Sequence, residues 1–163
     1  SWTIASSADG AKLIGASYHG QICTSTNSGT TWTTNNSPRK SWWSVASSAD
    51  GTKLMAAEGA GGPFGSIYTS TDSGVTWVSN NVPLLTWQGV ALSADGTKMI
   101  AAAAYGSGQP MGPIYTSVDL GLTWVSNNIS TQVWSSVSCS ADGNTFVAAA
   151  ASDGPLNAVR ATS

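Results

Sequence analysis

The sequence has little charge and no long apolar run. Only 9% of its 163 residues are charged, against roughly 25% in a typical soluble protein. Nucleic-acid binding requires clustered Lys and Arg to neutralise phosphates, and the whole chain has 6 of these residues. The strongest apolar runs, 99–105 and 146–151, are much shorter than the ~20 residues that cross a bilayer. We therefore expect no nucleic-acid partner and no membrane span.

Residues that carry out chemistry are equally scarce. The chain has one Glu (Glu58), one His (His19) and two Cys (Cys23 and Cys139). A metal site built from several His and Cys ligands is excluded by this inventory, and no GxSxG turn surrounds any Ser. We expect no metal, no cofactor and no catalytic residue. The two Cys can form one disulfide or remain free thiols, and the sequence leaves both open.

Internal repetition is the dominant feature that is present. The tetrapeptide Ser-Ala-Asp-Gly, called here the SADG turn, occurs four times, and its aspartates are separated by 41, 45 and 47 residues. These aspartates are Asp9, Asp50, Asp95 and Asp142. A second pattern, S-x-D-x-G-x-T-W, occupies 70–77 and 117–124, and 25–32 matches it with Asn27 in place of the acid. Two motifs that keep the same period indicate repeated supersecondary units.

Each unit contains four short strands between turn signals. In the third unit we predict strands at 87–92, 98–103, 113–117 and 122–126, because Asp-Gly, Gly/Pro-rich and Asp-x-Gly segments separate them. Four antiparallel strands every ~40–45 residues are typical of a β-propeller with one sheet per blade. The sequence thus predicts a single all-β domain over 1–163, a propeller of about four blades. Its repeat units are 1–41, 42–86, 87–133 and 134–163.

The second pattern resembles the Asp-box, or BNR repeat, of the Asp-box β-propeller family, and the resemblance covers nearly the whole chain. It implies that the acid bonds backbone N–H groups in the turn between the third and fourth strands, while Gly takes the tight backbone position and Trp packs into the sheet. The residues support the same role, since Asx side chains cap turns and Gly supplies positive φ. The structural positions so assigned are Asn27, Gly29, Trp32, Asp72, Gly74, Trp77, Asp119, Gly121 and Trp124.

The fourth unit is shorter than the others. Its segment 158–163 aligns with a third strand, and no Asp-box or fourth strand follows. We therefore expect a last blade that lacks its outer strand, and a free edge strand can pair with another chain. A four-bladed monomer, an eight-bladed dimer and a longer head-to-tail assembly all remain open. The chain has no initiator Met, so we expect a processed protein or a piece of a longer one.

Strand alternation separates two ends of each blade. The SADG and Asp-box turns share one end, and the loops that differ between repeats share the other, which is typical of a scaffold that carries recognition loops. These loops are 17–20, 58–65, 105–112 and 152–157. The candidate ligand-binding residues at that end are Tyr18, His19, Glu58, Phe64, Trp87, Tyr105, Gln109, Trp134 and Asp153.

Tryptophan is abundant, with eight copies. Trp42, Trp87 and Trp134 lie eight residues before their SADG aspartate, whereas Trp2 and Trp43 lie seven before and form a separate register. Trp residues at the start of a first strand can stack on sugar rings or fill the space between blades. The sequons at Asn35 and Asn128 are candidate glycosylation sites. Together with the Ser, Thr, Gly and Asn content, they suggest a secreted or cell-surface protein.

Three functions fit these features. The first is a non-enzymatic binding module for a glycan or a cell-surface protein, which is our prediction. The second is a structural protein that self-associates into dimers or fibres through its open last blade. The third is a glycoside hydrolase, which the resemblance suggests. However, six of the seven Asp belong to repeated turns, so Glu58 and Asp153 alone would have to form the catalytic carboxyl pair.

Overall fold

The computed structural model describes residues 1–59, 65–105, 112–127, 133–150 and 157–159, and within these ranges all regular structure is β. The first blade contains β1 (Trp2–Ser6), β2 (Leu13–Ser17), β3 (Ile22–Ser25) and β4 (Thr33–Thr34). The second contains β5 (Trp42–Ser47), β6 (Leu54–Glu58), β7 (Ile67–Ser70) and β8 (Val78–Ser79). The third contains β9 (Thr86–Leu92), β10 (Met99–Tyr105), β11 (Ile114–Ser117) and β12 (Val125–Ser126). The fourth contains β13 (Trp134–Cys139), β14 (Phe146–Ala150) and β15 (Asn157–Val159).

Each blade is an antiparallel sheet whose strands pair in chain order. The first three sheets have four strands, and the sheet of the fourth blade has three in the described part of the chain. The all-β prediction is therefore confirmed, and in the described part of the chain the last blade has no outer strand, as the sequence predicts. The fourth strands are only two residues long, shorter than the segment 122–126 that the sequence predicts.

The sheets stack face to face in the order of the chain. The back face of the first blade, with Ile14, Ala16 and Ile22, packs against the front face of the second, with Val45 and Ala56. The same contact repeats between the second and third blades and between the third and fourth. Because β6 and β10 are buried on both faces, their small Ala residues let neighbouring sheets approach closely, and this packing outweighs the helix propensity of the Ala runs.

The first strands of neighbouring blades contact one another, so β1, β5, β9 and β13 form the inner edges of the blades. Within the described ranges, extensive packing joins only consecutive blades. The first and fourth blades therefore each have one face that no blade of the same chain covers extensively.

The repeated turns lie together at one end of the blades, called here the turn rim. We call the turn of the S-x-D-x-G-x-T-W motif the Asp-box turn, after the motif that it resembles. In the first blade the Ser28 N–H of this turn donates to the carbonyl of Ala11 beside the SADG turn (2.9 Å). The bonds from Ser73 to Thr52 and from Leu120 to Thr97 repeat this contact in the next two blades. The described residues of the variable loops, among them His19, Glu58 and Gly65, lie at the opposite end, the loop rim.

Candidate functional site

The Asp-box acids bind their own turns. The Asp72 Oδ1 accepts the Thr76 backbone N–H (2.9 Å) and the Ser70 hydroxyl (2.8 Å), and Oδ2 accepts the Thr76 hydroxyl (2.6 Å). These bonds hold the pKa of Asp72 below its usual range, the Thr76 hydroxyl being the main cause. Asp119 makes the same set of bonds with Thr123 and Ser117. These carboxylates are occupied by turn hydrogen bonds.

The asparagine of the first Asp-box keeps this geometry. The Asn27 Oδ1 accepts the Thr31 N–H at 2.9 Å, and its Nδ2 donates to the Thr31 hydroxyl at 2.9 Å. An amide therefore replaces the carboxylate by reversing the direction of a single hydrogen bond, because a hydroxyl can donate or accept. The turn does not need the negative charge.

Two consecutive residues with positive φ complete each Asp-box turn. In the second blade they are Ser73 (φ 60°) and Gly74 (φ 88°), and the left-handed region strongly favours Gly at such positions. The box tryptophans Trp32, Trp77 and Trp124 donate their indole N–H to the carbonyls of Gly29, Gly74 and Gly121 at 3.0–3.1 Å. Each indole is thereby fixed against its own turn.

The SADG acids act in the same way. The Asp95 Oδ1 accepts the Ser93 hydroxyl and the Thr97 N–H, and these two hydrogen bonds lower the pKa of Asp95 to about 2. Equivalent bonds hold Asp9, Asp50 and Asp142, and their pKa values are lowered as well. In all, six aspartates stand at repeated turns on the turn rim, away from the variable loops.

Two residues predicted to bind ligand belong to the core instead. Trp87 is fully buried, and its Nε1 donates to the Gly65 carbonyl of the preceding blade at 3.0 Å. Trp134 is 1% exposed and donates to the Gly112 carbonyl at 2.9 Å. Both indoles fill the space between blades, so neither can stack on a ligand.

The sequence-based register of Trp2 is also wrong. Trp2 pairs with Ser17, the ladder position that Trp42 occupies opposite Glu58 in the second blade. A register shift after Trp42 inserts one additional residue into β5, and β1 has no such shift. Counting residues back from the aspartate therefore places Trp2 with Trp43, whereas the strand pairing places it with Trp42. A β-bulge of this kind has no clear sequence signal.

Polar and aromatic groups of the first two blades meet at the loop rim. The centroids of the Tyr18 and His19 rings lie 4.0 Å apart, and the rings meet edge to face. The Ser41 hydroxyl lies 3.3 Å from His19 Nδ1. Lys40 precedes Ser41 in the chain, and its ammonium is 3.3 Å from Glu58 Oε1. We call Tyr18, His19, Lys40, Ser41 and Glu58 the rim cluster.

Backbone pairing holds the rim cluster together. Gly20 and Lys40 form an isolated antiparallel bridge, and the Gly59 N–H donates to the Ser41 carbonyl at 3.0 Å. Glu58 Oε2 also accepts the Ser66 N–H at 3.1 Å. His19 has a φ of 59°, so the turn presents this exposed imidazole from a left-handed backbone position. The sequence predicted Tyr18, His19 and Glu58 but missed Lys40 and Ser41, which follow a fourth strand and carry no motif.

The remaining candidates have different outcomes. Phe64, Gln109, Asp153 and the sequon at Asn128 lie outside the described residues. Tyr105 ends β10, and its side chain is likewise not described. Cys23 and Cys139 are free thiols, which settles the open question about a disulfide, and burial raises the pKa of Cys139 to about 11.

The structure argues against a glycan on Asn35. Asn35 is 9% exposed, its Nδ2 is enclosed, and its Oδ1 accepts the Thr24 hydroxyl at 3.0 Å. The sequon hydroxyl of Ser37 is buried as well and accepts the Ile22 N–H at 2.9 Å. A glycan on this amide would have to displace the contact between the first and second blades.

Among the described residues, no group of three or more His, Cys, Asp or Glu side chains is arranged to hold a metal ion. In the same ranges, no helix is long and apolar enough to cross a membrane.

Several solved structures resemble this chain. A GH74 xyloglucanase from Xanthomonas campestris aligns with a TM-score of 0.69 and 15% identity, covering 86% of this chain and 24% of the other. YCF48 bound to D1 peptide aligns with 0.68 and 13%, covering 97% and 50%. A putative TolB from Agrobacterium tumefaciens aligns with 0.71 and 18%, covering 98% and 58%. The chain has a β-propeller fold.

The likeness concerns the fold alone, since identity is low throughout. This β-propeller chain spans between 24% and 58% of the length of these neighbours. No protein-family model matches the chain, and no curated protein sequence matches it significantly.

Proposed function

We propose that this chain is an Asp-box-type propeller domain that acts as a non-enzymatic recognition module. In this proposal the rim cluster binds a glycan or a cell-surface protein, and the protein works outside the cell or at its surface. The observation that carries the proposal is the separation of roles between the two ends of the blades. The six described aspartates are engaged in hydrogen bonds at the turn rim, whereas the described side chains that vary between the loops, such as His19 and Glu58, stand at the loop rim.

The rim cluster offers chemistry suited to a hydroxyl-rich ligand. The ring of Tyr18 and the imidazole of His19 provide flat apolar surface, on which the apolar face of a sugar ring can stack. The Lys40 ammonium donates hydrogen bonds, the Glu58 carboxylate accepts them, and the Ser41 hydroxyl does both. Among the solved neighbours, one is a xyloglucanase and another is bound to a peptide, which correspond to the two classes of ligand in this proposal.

Glu58 also supports a binding role over a catalytic one. Its carboxylate is already bound to Lys40 and to the Ser66 N–H, whereas a glycosidase acid needs a second carboxyl across the scissile bond. Hydrolysis of a chromogenic glycoside by the purified chain, abolished by Glu58→Gln, would contradict the non-enzymatic proposal.

A glycan array followed by calorimetric titration of the best binder tests the proposal. We expect Tyr18→Ala and Glu58→Gln each to weaken binding by about tenfold or more, in the range of an interface hot spot. Val75→Ala is the matched control, because this exposed side chain lies on the turn rim, and it should leave binding unchanged. Equal affinity in all four proteins would refute the assignment to the loop rim.

Self-association is a second candidate, favoured by the exposed apolar face of the first blade. Ile4 is 74% exposed and Trp2 is 65% exposed on this face, although both belong to strand positions that neighbouring blades bury. Sedimentation equilibrium over a wide concentration range tests it, and a strictly monomeric chain would exclude it.

A further inference from the structure

We propose that the front face of the first blade binds the back face of the fourth blade of a second copy, so that two chains close an eight-bladed ring. This inference deepens the self-association candidate and rests on it. Three kinds of contact recur at every junction between blades within the chain. For two of them, one half is left open on the first blade and the other half on the fourth, and for the third the first blade has the open glycine while the fourth blade has Thr145 in place of the lysine.

The first open contact is apolar. Val45 and Val90, the front-face residues equivalent to Ile4, are 7% and 6% exposed, whereas Ile4 is 74% exposed. Trp42 is 2% exposed, whereas Trp2 at the same ladder position is 65% exposed. Trp2 and Ile4 line an apolar groove of about 350 Å³ together with Gly15, Cys23 and Trp32. The first blade therefore exposes two large apolar side chains whose counterparts in the second and third blades are buried.

The fourth blade exposes the matching back face. At the back-face position of the second strand, Ile14, Met55 and Ile100 are fully buried under the following blade. Val147 occupies this position in the fourth blade and is 39% exposed. Within the described ranges, the chain therefore carries one uncovered front face and one uncovered back face, which are the two surfaces that pair at each internal junction.

The second open contact is a chain of backbone hydrogen bonds along the turn rim. The Ala8 N–H donates to the Ala49 carbonyl, Ala49 to Ala94 and Ala94 to Ala141, each at 2.8 Å. Among the described residues, the Ala141 N–H and the Ala8 carbonyl have no partner. A donor is thus left on the fourth blade and an acceptor on the first, in the direction that a further head-to-tail junction requires.

The third open contact is a lysine stem packed on a glycine. A Cβ atom added to Gly51 would lie 2.8 Å from the Lys12 stem, and one added to Gly96 would lie 2.6 Å from the Lys53 stem. Gly143 has the same relation to Lys98. The equivalent space at Gly10 holds no atom within 4 Å. In the fourth blade, Thr145 stands where the other blades have Lys, and its smaller side chain would face Gly10 of the second copy.

The open contacts on the first and fourth blades determine the symmetry of the assembly. The two open surfaces differ from each other, so association is head to tail, and such contacts either close into a ring or continue as a fibre. Known propellers have about four to eight blades, and two copies with four blades each reach that upper number. The formal charge of −2 per chain gives little repulsion between the copies.

Sedimentation equilibrium of the 163-residue chain and two face variants tests this arrangement. We expect the wild type to have twice its chain mass of 16.5 kDa. Ile4→Lys and Val147→Lys should each raise the dimer dissociation constant by about 100-fold or more, since a lysine would be buried without a partner. Leu122→Lys is the matched control, since this residue is 78% exposed on the turn rim, and it should stay dimeric.

Mixing the two face variants tests the head-to-tail geometry. The Ile4→Lys chain keeps an intact fourth blade and the Val147→Lys chain keeps an intact first blade. Their mixture should form a heterodimer with one normal junction, while neither variant dimerises alone. A mixture that stays monomeric when the wild type is dimeric would overturn the proposal.

Other outcomes distinguish this eight-bladed dimer from self-association in general. A monomeric wild type would overturn both. A dimer that survives both face variants but dissociates with Val159→Pro would place association at the open edge strand β15, which overturns this proposal and keeps self-association. A concentration-dependent series of larger species would overturn the closed ring.

Discussion

The inter-blade tryptophans allow a hydrogen bond to be measured within one chain. Trp87 and Trp42 occupy equivalent ladder positions and are 0% and 2% exposed. The Nε1 of Trp87 donates to the Gly65 carbonyl at 3.0 Å, whereas the buried Nε1 of Trp42 has no partner among the residues that the structure describes. Replacing either residue with Phe therefore removes a similar area of buried apolar surface. Only the replacement of Trp87 also removes a hydrogen bond.

The expected magnitudes follow from these contacts. Changing Trp to Phe removes roughly 40 Å² of buried apolar surface, or about 1 kcal/mol at 25 cal/mol per Å². Trp87→Phe also loses a hydrogen bond that contributes about 1 kcal/mol, for a total of about 2 kcal/mol. The Gly65 carbonyl still accepts the Leu85 N–H, so no unpaired acceptor adds to the cost. Trp42→Phe instead removes an unpaired buried donor, and the relief of about 1–3 kcal/mol offsets the lost packing.

Urea unfolding monitored by circular dichroism measures the difference. We expect a midpoint decrease for Trp87→Phe and little change, or a small increase, for Trp42→Phe, with unchanged m-values. Trp134→Phe should behave like Trp87→Phe, because its Nε1 donates to Gly112. Equal destabilisation of the three variants would refute the assignment of the difference to the indole hydrogen bond.

Three further predictions concern the turn rim. The folded pKa values of its six aspartates lie below the unfolded value, so the stability they provide is present above about pH 4 and is lost as the pH falls toward 2. Melting temperatures should be flat from pH 7 to 5 and fall below that, and an unchanged value at pH 2 would contradict the reasoning. Asp72→Ala should cost about 1–2 kcal/mol through the lost turn cap. Asp72→Asn should cost less than about 0.5 kcal/mol in denaturant titrations, because Asn27 already performs this role. Gly74→Ala should lower the melting temperature more than Gly10→Ala, since both have positive φ but a Cβ at Gly74 lies 2.4 Å from Asn35 Nδ2. Equal shifts for the two glycine variants would show that backbone strain alone sets the cost.

The repeat period allowed the sequence to predict the architecture. Two motifs with a common spacing predict four equivalent sheets, and turn chemistry places strand ends near Asp-Gly and Asp-x-Gly. These signals are local, since the side chain that makes the turn bond lies within five residues of its partner. Because these bonds join residues close in sequence, the motif alone was enough to assign Asp72 and Asp119 to turns. The structure shows the hydrogen bonds that they make there.

Contacts between blades carry no comparable signal. The bonds that join Ala8, Ala49, Ala94 and Ala141 are made by backbone groups, which every residue except Pro possesses. The register of Trp2 depends on a bulge that β5 has and β1 lacks. The rim cluster brings Lys40, from the connection between β4 and β5, beside Glu58 at the end of β6, so composition and spacing could not predict their pairing.

The sequence by itself determined the strands, their turns and their grouping into blades, because hydrogen bonds within a hairpin need only neighbouring residues. Tertiary structure alone decided which tryptophans are buried and which remain exposed. Trp87 and Trp2 share a residue type and a ladder position, yet one has a preceding blade against it and the other does not. Burial depends on what lies across the sheet, and that neighbour comes from a distant part of the chain or from another molecule.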